Sequence, residues 1–391
     1  MSDWVGWLLK AVYYYGHLIG LFNFEIDWRT GRVFTSARSS LYAFAVNVVI
    51  FLVLFLQISK QTKPSVYIGK ANKLHVIVIN VMVGLRIASG LCTVINRWRQ
   101  RTQFMRLVRK VLRLLLQKPQ VKIMSRWGIL IKVIIAVVTD LLQMAITWDS
   151  VGRVDSNQSL GMTLQFWMAA IINLAISQHY LVTLFVRAFY HLLNTELQKV
   201  ISECRMLSYI TVRKGAFMTR CCSLADQVDN IAKLQSQLQS IVTQLNAVAG
   251  VQGLMVYGGY YIFSISTTYL TYSLFKNGIE NLQLSLRAVI LSLSWCFFYY
   301  LDAMINLFVV LNLQDDHDEM IRLLEERTLF ASGLDARLEE SFESIQLQLI
   351  RNPFKIEVLE KFSITRSSTS AMFGSLITHT IFLIQYDMEY F

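Results

Sequence analysis

The stretch LYAFAVNVVIFLVLFLQIS, from Leu41 to Ser59, contains no Asp, Glu, Lys or Arg. A helix needs about 20 mainly apolar residues to cross roughly 30 Å of hydrocarbon, so this stretch predicts a membrane span. Outward from it along the chain, further stretches satisfy the same rule: His75–Asn96, Gly128–Trp148, Gly161–Tyr190, Ala247–Ser273, Ala288–Leu311 and Ser367–Tyr386. The sequence therefore predicts an all-α, polytopic membrane protein with seven transmembrane helices.

The composition agrees with lipid as the main solvent. Of 391 residues, 54% are hydrophobic and 16% are charged, whereas a soluble domain carries roughly 25% charged residues. The three prolines lie outside the apolar stretches, and the sequence shows neither an internal repeat nor a low-complexity linker. We expect one membrane-embedded unit rather than a string of modules.

The distribution of positive charge predicts the orientation in the membrane. The formal net charge is +11, and most Lys and Arg lie in segments 1–40, 97–127, 191–246 and 312–366. Positive residues favour the cytoplasmic side, so we predict a cytoplasmic N-terminus and an extracellular C-terminus. The same pattern argues against a nucleic-acid partner, because a nucleic-acid module needs a polar, solvent-facing surface.

Local signals refine this picture. The segment Trp4–Phe24 is rich in Trp and Tyr but interrupted by Lys10 and His17, which favours a helix lying at the membrane interface; an additional span is the alternative. Asn157, followed by Gln and Ser, is a candidate glycosylation site in a predicted outer loop. The sequence contains no Cys/His metal spacing, catalytic triad or phosphate-binding glycine loop, so we expect no metal, no cofactor and no enzyme activity.

Two predicted cytoplasmic segments do more than connect spans. Segment 97–127 is basic and lacks acidic residues, so it could rest on anionic lipid or attract the acidic segment 315–343. Apolar residues recur at helical spacing before the last span, at Leu338, Phe342, Ile345 and Leu349. They predict an amphipathic helix, which serves either ordinary packing or subunit assembly.

Charged residues within the predicted spans need partners. Arg86, Lys132, Asp140 and Asp302 lie there, and a charge at mid-membrane costs roughly 2.5–3.5 kcal/mol on insertion scales. We predict that Arg86 pairs with Asp140 or Asp302. We expect Lys132 to extend its amine towards the membrane surface. Contact of either carboxylate with a ligand is the alternative.

Aromatic residues cluster in the fifth and sixth spans. Tyr257 and Tyr261, like Trp295 and Tyr299, stand at i,i+4 spacing, so each pair shares a helix face. Cavities walled by aromatic side chains suit small organic ligands, although interfacial belts and packing also use them. The group that we expect to wall a ligand pocket is Trp167, Tyr257, Tyr261, Tyr269, Trp295 and Tyr299, with Asp140 and Asp302 as polar candidates.

The last span carries a stripe of mostly small and polar residues. At about 100° per residue, one face holds Ser367, Ala371, Gly374, Thr378, Ile381 and Gln385. Such a stripe faces protein or water rather than lipid. The pattern alone leaves two interpretations, close helix packing or a pore wall in which Ile381 forms an apolar constriction.

The end of this span resembles the C-terminal signature of insect gustatory receptors, which is Thr-Tyr, five apolar residues, then Gln-Phe. Thr378 and Gln385 match the signature, while His379 and Tyr386 replace its Tyr and Phe. Thr380 departs mildly from the apolar run. The motif is confined to the last span, but the resemblance in architecture covers essentially the whole chain.

This resemblance implies a ligand-gated, nonselective cation channel in the plasma membrane of sensory neurons, opened by small organic tastants of bitter or aversive type. Subunits, alike or mixed with other gustatory receptors, would form a tetramer around a central pore. Gln385 and Tyr386 would form the gate, and Ile381, Thr378 and Gly374 would line the pore.

The resemblance also implies a division of the chain. Segment 1–40 would be cytoplasmic or interfacial, 41–311 a ligand-binding transmembrane domain, 312–366 cytoplasmic assembly helices, and 367–391 the pore helix with a short extracellular tail. Two alternatives remain open at this point. One is a pheromone receptor of the same family, and the other is a transporter or accessory membrane subunit, although transporters tend to show internal repeats and broken helices.

Overall fold

A computed structural model describes residues 4–59, 73–151, 156–209, 214–278, 285–327, 335–358 and 362–390. Helices dominate these residues: α1 (Trp4–Leu18), α2 (Ala37–Ser59), α3 (Lys73–Arg99), α4 (Arg101–Gln117), α5 (Gln120–Met124), α6 (Arg126–Val151), α7 (Ser156–Tyr209), α8 (Lys214–Asn277), α9 (Leu286–Arg327), α10 (Ala336–Arg351) and α11 (Arg366–Tyr390). Two short antiparallel pairs complete the fold: β1 (Glu25–Asp27) with β2 (Arg32–Phe34), and β3 (Glu357–Val358) with β4 (Phe362–Ser363).

Six described helices, namely α2, α3, α6, α7, α8 and α9, are long and apolar enough to cross a membrane. Each contains one of the predicted spans. The remaining predicted span, Ser367–Tyr386, lies within α11, which has the length of a span. Ser, Thr, His and Gln residues interrupt its apolar sequence, and it is not among the helices that meet the same criterion of apolarity.

Three of these helices continue well beyond the predicted spans. The extensions of α7, α8 and α9 meet α4 and α10, and the largest cluster of buried apolar side chains lies there. The predicted amphipathic helix is confirmed as α10, because Leu338, Phe342, Ile345 and Leu349 are all buried. Asp335 caps this helix by accepting a hydrogen bond from the Arg337 backbone N–H, at 2.9 Å.

The N-terminal segment folds back onto the bundle. Helix α1 contacts α6 and α7, and the β1–β2 hairpin follows it. Gly31 closes the hairpin at a φ of 65°, where a side chain would be strained. Hydrogen bonds from the Thr30 hydroxyl and the Arg29 N–H reach the Asp27 carboxylate and lower its pKa.

Basic residues of α4 fasten this segment. Arg109 donates to the Val33 carbonyl at 2.7 Å, and Arg101 donates to the Asn23 carbonyl and to the Ser40 hydroxyl. These two arginines therefore bind neutral oxygens within the chain. The sequence had suggested anionic lipid or the acidic segment 315–343 as partners of segment 97–127.

Candidate ligand cavities and pore helix

Two adjoining cavities lie among α3, α6, α7, α8 and α9. The wide cavity has a volume of about 410 Å³, and the narrow cavity has a volume of about 80 Å³. Side chains from four of these helices line both cavities: Met82, Arg86, Gln143, Phe263 and Trp295. The wide cavity falls in the size range of about 300–1,000 Å³ that is typical of small-molecule sites.

An aromatic cluster forms the wall between α8 and α9. The rings of Trp295 and Tyr299 stack with centroids 5.2 Å apart at 20°, as their i,i+4 spacing predicts. Phe263 contacts both rings edge-on or tilted, at 5.3 and 4.8 Å. Trp295 and Tyr299 line the narrow cavity, together with Asp140 and Asp302.

The other predicted pocket residues lie elsewhere. Tyr257 borders a third, smaller cavity of about 40 Å³. Trp167 donates to the Ile19 carbonyl at 3.3 Å and packs in a separate apolar cluster. Tyr261 and Tyr269 point their hydroxyls at α11. The structure thus brings together half of the predicted set.

Buried charges are paired differently from the sequence-based prediction. The Lys132 amine lies 2.5 Å from Asp302, and their side chains are 1% and 7% exposed. Lys132 is therefore buried in an ion pair and does not extend to the membrane surface. Asp140 accepts hydrogen bonds from Tyr15 at 2.6 Å and Asn173 at 2.8 Å.

Arg86 consequently pairs with neither predicted carboxylate. Its guanidinium lies 5.2 Å from the centroid of the Trp295 ring and 5.9 Å from that of Phe263. Such cation–π contacts stabilise the positive charge but provide no oxygen or nitrogen acceptor for the N–H groups of the guanidinium. Within the described part of the chain, Arg86 makes no hydrogen bond or ion pair.

The polar stripe of α11 faces away from the rest of the subunit. All its members are exposed: Ser367, Ala371, Gly374, Thr378, Ile381 and Gln385. Tyr386, at the predicted gate, is exposed as well. The buried residues of α11 are Thr380 and Asp387, which lie roughly 140–160° around the helix from the centre of the stripe. That buried side contacts α8.

Hydrogen bonds join α8 to the middle of α11. The Tyr261 hydroxyl lies 2.7 Å from the Ser375 hydroxyl and 3.0 Å from Nδ1 of His379. Ser375 and His379 share one helix face, one turn apart, and are 3.2 Å from each other. The histidine that departs from the family signature therefore contacts α8.

A second polar contact joins the two helices near the end of α11. Asp387 is 2% exposed; its carboxylate lies 2.9 Å from the Lys276 amine and accepts the Tyr269 hydroxyl at 2.9 Å. Sequence reasoning missed Asp387, because we ended the span one residue before it. A carboxylate next to an apolar span is costly to bury and needs a partner, and this cost could have identified Asp387 from the sequence.

The remaining site predictions concern glycosylation and metals. Asn157 lies in the first turn of α7, but its side chain falls outside the residues that the structure describes. Across those described residues, no three His, Cys, Asp or Glu side chains are grouped as a metal site requires.

Comparison with known proteins supplies the context for this geometry. A family model described as 7tm chemosensory receptor matches residues 9–390. The chain is 66% identical to a Drosophila melanogaster protein named gustatory receptor 36a, over 100% of both chains.

Solved structures share the fold at low sequence identity. The insect olfactory receptor OR5 from Machilis hrabei superposes with a TM-score of 0.67 at 10% identity, over 97% of each chain. The same receptor in complex with eugenol superposes with a TM-score of 0.62, over 98% of this chain and 100% of that one, at 11% identity. These overlaps confirm the predicted fold class, an all-helical polytopic membrane protein.

Proposed function

Because the chain belongs to the 7tm chemosensory receptor family, we propose that it is a ligand-gated, nonselective cation channel opened by small organic tastants. The family consists of receptors rather than enzymes. The observation that carries the channel proposal is the geometry of α11. Its polar stripe is exposed while its opposite side packs on α8. A polar stripe within a membrane needs protein or water against it, and a shared pore supplies water.

Assembly follows from the same helix. Apolar side chains of α11 that flank the stripe are also exposed in a single subunit, among them Ile377 and Phe382. Further subunits around the stripe would cover these side chains and enclose the pore. We propose a tetramer, with copies of this chain or other gustatory receptors as neighbours. It sits in the plasma membrane of sensory neurons, with the N-terminus cytoplasmic and the C-terminus outside.

In this assembly Gln385 and Tyr386 form the gate, and Gly374, Thr378 and Ile381 line the pore. Ile381 provides the apolar constriction. The side chain of Tyr386 is 41% exposed and contacts Tyr390, with ring centroids 4.7 Å apart. An aromatic ring there closes the pore while its hydroxyl lets water approach.

The ligand class rests on the two cavities. The wide cavity is mainly apolar, with amide and hydroxyl groups from several helices, as is typical of sites for small organic molecules. The related receptor from Machilis hrabei was solved with eugenol, a small aromatic compound. Aversive taste is the proposed modality because the sequences of the Phe342–Pro353 run and of the terminal Tyr386–Phe391 resemble those of fruit-fly receptors assigned to bitter or aversive taste.

Whole-cell recording tests this function. Cells expressing the chain, alone and with candidate gustatory co-receptors, are exposed to a panel of bitter alkaloids and small aromatic acids with G-protein signalling blocked. We expect a cation current that appears with ligand and whose ion selectivity or rectification changes in Gln385→Ala. Phe373→Ala is the matched control, since Phe373 lies on α11 outside the stripe. A ligand response unaltered by Gln385→Ala contradicts the pore assignment. No current in any subunit combination, despite surface expression, contradicts the channel itself.

A further inference from the structure

Two neighbouring hydrogen-bond donor groups on the wall of the wide cavity have no acceptor among the residues that the structure describes. We propose that this cavity binds an organic anion, a carboxylate carried on an aromatic body, and that Arg86 is its charge partner. The proposal deepens the receptor function above and names the chemical class of its ligand.

The first donor group is the Arg86 guanidinium. Arg86 stands midway along α3 and lines both cavities. The carboxylates nearest in the bundle are engaged elsewhere, since Asp302 pairs with Lys132 and Asp140 accepts from Tyr15 and Asn173. Within the described residues, the guanidinium interacts with the faces of the Phe263 and Trp295 rings and with no carboxylate. Its planar fork of N–H donors matches a carboxylate in two parallel hydrogen bonds.

The second donor is the indole N–H of Trp295. This nitrogen is buried and has no acceptor among the described residues, and Trp295 lines both cavities. The Arg86 guanidinium lies 5.2 Å from the Trp295 ring centroid. The indole N–H and the guanidinium N–H groups can only donate hydrogen bonds. A ligand that satisfies them must therefore supply acceptor atoms.

The rest of the wide cavity selects against cations. Among its lining residues in the described chain there is no Asp or Glu. Arg86 supplies a positive charge to this lining and His75 supplies an imidazole ring. Its uncharged polar groups include Gln143, Gln165 and Thr267, which suit either donors or acceptors. In a water-poor site a single charge acts strongly, so the sign of Arg86 decides the sign of the preferred ligand.

The size and walls of the cavity fit the body of such a ligand. A volume of about 410 Å³ accommodates one small aromatic acid with room for water. Phe263 and Trp295 supply the aromatic wall on which a flat ring can stack.

A charge series on one skeleton tests this inference. The full-length chain, purified in detergent, is titrated with indole-3-acetate, indole-3-acetamide and tryptamine, which are anionic, neutral and cationic at neutral pH. Binding is read as a rise in thermal unfolding midpoint, which grows with ligand concentration over Kd. We expect indole-3-acetate to bind most tightly and tryptamine least.

Variants assign the preference to Arg86. Arg86→Gln should weaken indole-3-acetate by about tenfold or more, the value of a charge-assisted hydrogen bond, and should leave indole-3-acetamide within about twofold. Arg86→Lys should retain part of the anion preference. Arg126→Gln is the matched control, because Arg126 also lies over a Trp ring, at 5.7 Å, and lines neither cavity. Arg86→Gln removes an unpaired charge from a span, so we expect it to fold.

Several outcomes overturn the inference. They are equal affinity for the three compounds, absence of binding by indole-3-acetate, or an equal loss of all three in Arg86→Gln. The channel proposal is judged separately, by current. Anion binding without current in any subunit combination leaves Arg86 assigned and removes the channel function. Ligand-evoked current without anion preference does the reverse.

Discussion

Individual charges in the transmembrane bundle differ in what satisfies them. Lys132 and Asp302 neutralise each other, and Asp302 also accepts hydrogen bonds from Tyr260 at 3.3 Å and Asn306 at 3.1 Å. Among the described residues, the partners of Arg86 are the faces of two aromatic rings, Phe263 and Trp295. The first arrangement holds helices together whether or not ligand is present, whereas the second leaves Arg86 available for the ligand anion that we propose. The two sites therefore predict different mutant phenotypes.

Lys132→Met should destabilise the folded chain by about 3–5 kcal/mol, because it leaves the Asp302 carboxylate buried without its counter-charge. The double variant Lys132→Met/Asp302→Leu should recover most of that loss. Thermal unfolding in detergent measures both. Lys118→Met is the control, since Lys118 and Glu196 form a partly exposed pair that is worth at most about 1 kcal/mol. A Lys132→Met protein as stable as wild type contradicts the prediction.

At the scale of single residues, the sequence indicates which side chains need a partner. It does not indicate which partner each of them contacts. The i,i+4 spacing of Trp295 and Tyr299 predicted a shared face, and their rings do stack. Tyr257 and Tyr261 have the same spacing, yet one borders a small cavity and the other bonds to α11. Spacing describes one helix, whereas the neighbour of each face depends on how the whole bundle packs.

At the scale of helices, the predicted spans lie within the observed helices, but the extensions of α7, α8 and α9 beyond those spans were not predicted. The span predicted to end at Tyr190 continues as α7 to Tyr209, and the one predicted to begin at Ala247 begins as α8 at Lys214. Hydropathy marks where lipid ends and not where a helix ends. Beyond the lipid these helices carry an ordinary mixture of polar and apolar residues, stabilised by the core around α10.

That core makes a testable prediction about α10. Phe342→Ala should cost about 3–5 kcal/mol, because the Phe342 side chain is fully buried between the helix extensions. Leu347→Ala, on the same helix at 51% exposure, should stay within about 0.5 kcal/mol of wild type. Surface expression and thermal unfolding report both variants. If the two variants behave alike, α10 does not anchor this core.

The contact between α8 and α11 predicts a gating phenotype. Lys276→Met removes the positive partner of Asp387, which adjoins the proposed gate residue Tyr386. A charge-assisted hydrogen bond is worth about 1.5–3 kcal/mol, so freeing the end of α11 should raise the ligand-independent current by roughly tenfold or more. Lys276→Arg keeps the charge and should resemble wild type. A Lys276→Met channel as quiet as wild type means that this contact does not hold the pore closed.

For the whole molecule, the polar stripe of α11 is a surface that a single subunit leaves uncovered. The Lys132–Asp302 pair and the core around α10 are buried within the chain. By contrast, α11 leans on α8 and leaves its stripe uncovered. Helices α3 and α8 line the cavities, and α11 contacts α8 through Tyr261, Tyr269 and Lys276. An apolar cluster also joins Leu74 and Val78 of α3 and Tyr269 of α8 to Leu383 and Ile384 of α11.

This arrangement predicts that the stripes of several subunits surround one water-filled axis. Thr378→Cys places a thiol on the exposed stripe, and Phe373→Cys places one at 40% exposure on α11 outside it. A small cationic thiol reagent applied with ligand should abolish most of the current of Thr378→Cys, because a fixed positive charge in a narrow pore repels cations. Phe373→Cys should keep its current, and so should wild type, because its five cysteines are buried or half-buried and none lies on α11.

Mixing subunits extends the test to assembly. When Thr378→Cys and wild-type chains are co-expressed, every pore that contains one modified stripe should carry less current, so block should exceed the fraction of variant chains. Block in proportion to that fraction means that each subunit conducts alone, and the shared pore is then wrong. Block equal in Thr378→Cys and Phe373→Cys means instead that the stripe has no special access to the ion path.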